Sequence, residues 1–222
     1  MNKRKNGKKL PVTLNESEVE LLRNCCTRSA TGRRNRAIME AMLCAGLRVS
    51  EVIALNPADI DWNGGMIRVN NGKGGRDRVI PVNDETIAHL RVWHSLRTSK
   101  GLNGRHAFFC GIRTKGKRLT ARSVQDMIKG HAKRAGIEKN VSPHVLRHTY
   151  ATNLLDNGFS IREVQELLGH SDVSTTMVYT HVNPEALRRK IQNGSREKDD
   201  KVAELQEQLA AIQAELEKLG GK

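Results

Sequence analysis

Aromatic side chains are scarce: two Trp, two Tyr and three Phe make up 3% of 222 residues. That leaves too few stacking platforms for a protein that reads single-stranded nucleic acid base by base. The four cysteines, Cys25, Cys26, Cys44 and Cys110, are too few and too irregular for a disulfide framework, and no paired CxxC spacing suggests zinc. No run approaches the roughly 20 apolar residues of a membrane span. Met1 to Leu10 starts basic but has no hydrophobic segment behind it, unlike a secretory signal. No Asp/Glu cluster suggests a two-metal nuclease centre. His89 and His94 are five apart, and His106, His131, His148 and His181 are scattered, so none forms a convincing ligand pair. These absences predict a soluble, cytoplasmic protein with reduced thiols, no membrane partner, no metal and no cofactor.

What the chain has in excess is positive charge. It carries 38 Lys+Arg against 24 Asp+Glu, a formal net charge of +14. Such an imbalance points to a polyanionic partner, and with few aromatics to double-stranded nucleic acid. The excess is uneven. Residues 196–222 hold five Lys/Arg and seven Asp/Glu, so all of it lies in residues 1–195. In the tail, Val202, Leu205, Leu209, Ile212, Leu216 and Leu219 recur at spacings of 3, 4, 3, 4 and 3, an a/d heptad seam. Three readings of that tail stay open: a self-associating coiled coil, a solvated or self-docked helix, and an appended segment.

The body reads as mainly α with one small antiparallel β-sheet. Thr13 to Glu16 has capping-box spacing ahead of Val19, Leu21 and Leu22. A second helix is predicted over Arg34–Ala45, ending at Gly46. Ser50 is the expected cap of a short helix, Glu51 to Leu55, stopped before Pro57. Met66–Val69 and Arg78–Val82 flank the turn-rich Asn70–Gly75 and read as a hairpin. Beyond it, Thr86–Leu96 is predicted helical and Ala107–Cys110 a short strand. Helices follow at about Thr120–Ala135, Pro143–Asp156, Ile161–Leu168, Val173–Thr180 and Pro184–Gln192.

Several residues could carry chemistry. Gly72-Lys73 is not a Walker A loop, because Ile67 and Gly74 stand where Gly and Ser/Thr are required. Lys73 instead sits at a hairpin tip, from which a cation can reach a ligand. In Ser142 to Tyr150, Ser142 can cap a helix with Pro143 in its first position. His144 and Arg147 then share one face of the first turn, joining an acid/base group to a phosphate-binding fork near free amides. An ordinary amphipathic helix with a polar first turn reads equally well from this motif alone. Gly169 ends the next helix and leaves His170 at the junction, with Tyr179 beyond it among polar and basic residues. Tyr150, in an apolar run, reads as packing. On the helix from Thr120, the residues Arg122, Gln125, Lys129 and Lys133 fall on one face, opposite Val124, Met127, Ile128 and Ala135. That face is a candidate DNA grip, alongside the reading of a solvated charged surface.

Taken together, Ala45–Glu51, Gly72–Gly74, His144–Arg147, Leu168–His170 and Tyr179 resemble the catalytic domain of tyrosine recombinases. This is the phage-integrase family, with its Xer-type and integron integrases. The resemblance runs from about Leu10 to Arg189, and all six principal positions hold the residue types of active members. It implies the tyrosine recombinase catalytic-domain fold. It also implies that Arg48 and Arg147 clamp the scissile phosphate, His144 acts as base, Lys73 protonates the leaving 5′ oxygen, His170 adds a hydrogen bond and Tyr179 is the nucleophile. Glu51 matches an accessory acidic position that could orient an arginine through an i, i+3 pair.

The implied activity is site-specific recombination of duplex DNA through a covalent 3′-phosphotyrosyl intermediate, within a tetrameric synapse on nucleoid DNA. Alternatives on the same fold are a topoisomerase-like relaxing enzyme and a non-catalytic DNA-binding or architectural protein. The implied organisation is a catalytic domain over residues 1–195, without the family's usual N-terminal core-binding domain, and a heptad-patterned helix over 196–222. In the family, the segment after the tyrosine docks onto a neighbouring subunit, a role that Asn183–Ile191 could fill.

Overall fold

The computed structural model describes residues 11–70, 77–102, 106–169 and 187–194. The chain begins with α1 (Glu16–Asn24), α2 (Ala30–Leu43) and α3 (Val49–Ala54). A three-stranded antiparallel sheet follows, in the order β1 (Ile60–Asp61), β2 (Met66–Val69), β3 (Arg78–Pro81). Then come α4 (Asp84–Ser99), α5 (Ala121–Arg134), α6 (Pro143–Asp156) and α7 (Ile161–Leu168). Residues 187–194 are also helical. The expected architecture, mainly helical with one small sheet, is what the chain adopts.

The core forms around α2. Ala37, Ile38, Met39, Ala41 and Met42 are fully buried, and α2 packs against both α4 and α6. Only its C-terminal half is enclosed, Ala37–Leu43 being buried on every side of the helix, while the arginine-rich first half reaches the surface. Each fully buried large side chain contributes about 1.5–3 kcal/mol relative to exposure. The scarce aromatics are spent in this interior. Trp93 is buried and donates Nε1–H to the Phe108 carbonyl at 2.9 Å, while Phe108 and Phe109 meet edge to face.

Helices α6 and α7 match the predicted spans. Ser142 caps α6 by accepting from the Val145 amide, with Pro143 at the first position. Other starts differ. The N-cap of α1 is Asn15, with Glu18 completing the capping box. Ser29 caps α2 by accepting from the Gly32 amide, so that helix begins four residues earlier than predicted. Asn83 likewise starts α4 ahead of Thr86. Ser50 lies inside α3, whose N-cap is Arg48.

In the sheet, Ile67 pairs with both Ile60 and Ile80, which joins the inward positions of all three strands. Segment 107–110 is not a strand. It makes one isolated bridge, Cys110 to Arg118, because Phe108 and Phe109 are drawn into the core and the Phe108 amide donates to Leu55. The predicted helix over Val173–Thr180 lies outside the described residues, as does the heptad tail. Residues 187–194 pack on their own chain: Lys190 pairs with Glu163 of α7 at 3.1 Å, and Arg188 with Asp84 of α4 at 3.7 Å.

Candidate active site

The turn after α2 sets the first arginine. Gly46 has φ +59°, and a Cβ there would lie 2.4 Å from Cδ1 of Tyr150 and 3.0 Å from Cδ2 of Leu168. Only glycine fits both the conformation and the space. The chain then enters α3 at Arg48, which lacks a capping side-chain acceptor of the usual kind. Glu51 supplies the compensation from within the helix. Its Oε2 accepts the Arg48 backbone N–H at 2.8 Å, and its Oε1 accepts from Arg48 Nη1 at 2.9 Å. The i, i+3 pair expected from sequence is present, with a backbone bond added.

Two more arginines reach the same place. Arg147, on the second turn of α6, donates Nη1–H to the Gly46 carbonyl and lies 3.9 Å from Glu51 Oε2. Arg78, the first residue of β3, meets Glu51 with a two-pronged fork: Nη1 to Oε1 at 2.9 Å and Nη2 to Oε2 at 2.8 Å. Bidentate arginine–carboxylate pairs are among the strong, geometrically specific hydrogen bonds.

All three guanidiniums also satisfy the C-terminal end of α7. Arg78 Nε donates to the Leu167 carbonyl at 3.0 Å, Arg147 Nη2 to Leu168 at 2.6 Å and Arg48 Nη2 to Gly169 at 3.2 Å. The last carbonyls of a helix have no intrahelical partner and carry the negative end of its dipole. Here three successive ones are taken by three cations. Gly169 allows it, with φ +63° and Arg78 side-chain atoms 3.0 Å from where its Cβ would be.

The charges do not balance. Three guanidiniums surround one carboxylate, with side-chain exposures of 26% for Arg48, 11% for Arg78, 9% for Arg147 and 7% for Glu51. Burial pushes the Glu51 carboxyl up, but hydrogen bonds and charge from Arg78, then from Arg48, outweigh it and hold the pKa at about 2. Arg147 moves the other way, pushed down to about 10 by burial and then by the Arg48 charge, with Glu51 opposing. A cation held down by burial first and by a like charge second is not fully compensated by its one carboxylate. This cluster accommodates an added anion at lower cost than a balanced one.

Of the other expected site residues, His144 is exposed on the first turn of α6, one turn from Arg147. Lys73, His170 and Tyr179 lie outside the described residues. By sequence, His170 directly follows the arginine-capped end of α7. Tyr150 is packed inside, and burial raises its phenol well above the ordinary value, which suits packing rather than nucleophilic attack. Arg122, Gln125, Lys129 and Lys133 are all exposed along α5, with Val124, Ile128 and Ala132 buried opposite them. Arg122 is paired with Asp126 at 3.0 Å.

Arg78 is the residue that sequence reasoning missed. A signal existed, since Arg78 is in phase with buried Ile80 on a short strand, where an unpaired charge would be costly. Among the described residues, Glu40, Glu85 and His89 bring possible metal-ligand atoms within 4.8 Å of one another. Arg23 and Arg36 already occupy Glu40, and Arg36 also pairs with Glu85, so this group is neutralised by arginine.

The phage integrase family model matches residues 12–186, most of the chain. The chain belongs to the phage integrase family. It is 41% identical over 177 residues to tyrosine recombinase XerD of Pseudomonas putida, covering 79% of this chain and 59% of that protein. The chain therefore spans less than two thirds of such a relative's length. Among solved structures, that of XerA recombinase superposes with a TM-score of 0.66 at 37% identity, covering 81% of this chain and 63% of that one. XerH site-specific recombinase bound to a palindromic difH substrate, in a post-cleavage complex, gives 0.63 at 28% identity, covering 84% and 54%. Among the described residues, no helix is long and apolar enough to cross a membrane.

Proposed function

We propose that this chain is the catalytic domain of a site-specific DNA recombinase, occupying residues 1–195, with residues 196–222 a separate heptad-patterned helix. The observation that carries the reading is the unbalanced trio of arginines around Glu51, at the end of the helix that leads to His170. A phosphodiester carries the negative charge such a cluster lacks, and charge builds on its non-bridging oxygens as a nucleophile attacks. Arg48 and Arg147 are the two phosphate ligands, since each guanidinium has five N–H donors and their protein contacts leave some unused.

In the proposed reaction, His144 takes the proton from the Tyr179 hydroxyl, which is needed because a free phenol has a pKa of about 10. The Tyr179 oxygen attacks phosphorus and forms the 3′-phosphotyrosyl bond as the bond to the 5′ oxygen breaks. Lys73 protonates that departing oxygen, and His170 hydrogen-bonds the phosphate. Reattack by a 5′ hydroxyl from another strand reverses the step and restores the diester. The covalent intermediate conserves the bond energy, so no ATP is needed. The exposed basic face of α5 is the proposed duplex grip. A tetrameric synapse, a Holliday-junction intermediate and nucleoid association complete the proposal, supported by likeness to a recombinase solved with its DNA substrate.

The test is a pool of nicked suicide duplexes with randomised centres. The wild-type chain is expected to form a denaturant-resistant protein–DNA adduct, and Tyr179→Phe none. An adduct that survives in Tyr179→Phe, or none with wild type, overturns the reading. Recombinant junctions, rather than relaxed circles alone, then separate a recombinase from a topoisomerase-like enzyme.

A further inference from the structure

We infer that Arg78 is a positioning residue for DNA cleavage: it acts through Glu51 and the end of α7 to set the two phosphate-binding arginines, without touching the phosphate itself. The inference rests on the recombinase reading above. All three guanidinium nitrogens of Arg78 are committed, Nε to the Leu167 carbonyl and Nη1 and Nη2 to the two oxygens of Glu51.

What Arg78 holds is what the other arginines lean on. Glu51 Oε1 accepts from both Arg78 and Arg48, and Oε2 accepts from Arg78 and from the Arg48 backbone, so the fork fixes the carboxylate that fixes Arg48. At the other end, the Leu167 carbonyl taken by Arg78 is followed by those taken by Arg147 and Arg48. Arg78 thus secures both anchors shared by the phosphate arginines. Its place in the chain adds a further link. Arg78 pairs with Val69 across β2 and β3, and those two residues bracket the segment that carries Lys73. The base of the hairpin bearing the proposed acid is therefore bolted to the arginine cluster.

Lysine cannot replace this geometry, because one ammonium cannot reproduce a planar fork plus a third bond. Arg78→Met is expected to slow single-turnover adduct formation on the nicked duplexes by about 10- to 100-fold, the scale of a small misplacement at a reacting centre. DNA affinity should stay within about twofold of wild type, since no phosphate contact is lost. Arg78→Lys should recover part of the rate, remaining several-fold slow. Folded fraction is monitored by thermal melting. If Arg78→Met does not fold, Arg78→Lys decides: slower cleavage at unchanged affinity supports the inference, and wild-type cleavage overturns it. Arg78→Met cleaving within about twofold of wild type, or losing affinity in step with rate, overturns it while leaving the recombinase reading intact. If wild type forms no adduct, both fall together.

Discussion

Two buried carboxylates of this chain, Glu40 and Glu51, are each gripped by arginines, yet the clusters differ in kind. Glu40 sits on α2 at 1% exposure, 3.0 Å from Arg23 and 2.6 Å from Arg36. Those arginines also serve Glu20 and Glu85, so two cations answer three carboxylates. Around Glu51 the proportion reverses, with three cations to one carboxylate. The arginines register the difference. Burial would lower Arg23, but the Glu40 charge reverses this and the guanidinium is pushed up. Arg147, buried beside Arg48, is pushed down. A cluster with more carboxylates than arginines ties α1, α2 and α4 together. One with an excess of cations suits a charge supplied from outside the chain.

That contrast can be broken at its strongest point. Removing one partner of a buried ion pair typically costs about 3–5 kcal/mol, so Glu40→Gln should lower stability by about that much in denaturant unfolding. Arg147→Met, which relieves repulsion as well as losing contacts, should cost clearly less. The converse ranking would mean that the Glu51 cluster holds the fold and the Glu40 cluster does not.

A smaller effect, of about 1–3 kcal/mol, is expected from pH. A carboxyl whose folded pKa is depressed contributes stability above its unfolded value and loses it as pH falls through the folded one. For Glu51 the window runs from about 4.3 in the unfolded chain down to about 2. The stability difference between wild type and Glu51→Gln should fade across that range in acid unfolding curves. A difference independent of pH would contradict it.

Added anion should separate the clusters more finely. Inorganic phosphate at about ten times its dissociation constant stabilises a folded site by about 1.4 kcal/mol. Thermal melting should rise with phosphate in wild type and in Glu40→Gln, and not in Arg147→Met. The smallest effect lies outside both clusters. Neutralising Lys129 and Lys133 on α5 should weaken binding to any duplex and reduce the salt slope by about 0.9 for each lost phosphate contact. An unchanged slope would make that face ordinary solvated charge.

Much of this was legible in the sequence where a local signal sufficed. Ser142-Pro143 announced the start of α6 and Gly169 the end of α7; Arg147 stood out by its spacing from His144, and Arg48 and Glu51 followed from the resemblance to tyrosine recombinases. The misses were non-local. The fork from Arg78 to Glu51 joins residues 27 apart, and the three carbonyls at 167–169 become acceptors only when α3, β3 and α6 meet there. Arg48 as N-cap was missed because its cap partner is the side chain of Glu51 rather than its own. Segment 107–110 has strand composition, but burial of both phenylalanines left it a single bridge.

The measurement that bears most directly on the contrast is single-turnover adduct formation on nicked duplexes, compared for wild type, Arg147→Met and Glu40→Gln at a temperature where all three are folded. Loss of one preorganised donor at a charge-developing centre costs about 10²- to 10³-fold. Arg147→Met should slow by that much while keeping its fold, and Glu40→Gln, though less stable, should cleave at close to the wild-type rate. Arg147→Met cleaving like wild type, or Glu40→Gln losing cleavage while folded, would contradict the assignment of the unbalanced cluster to the phosphate.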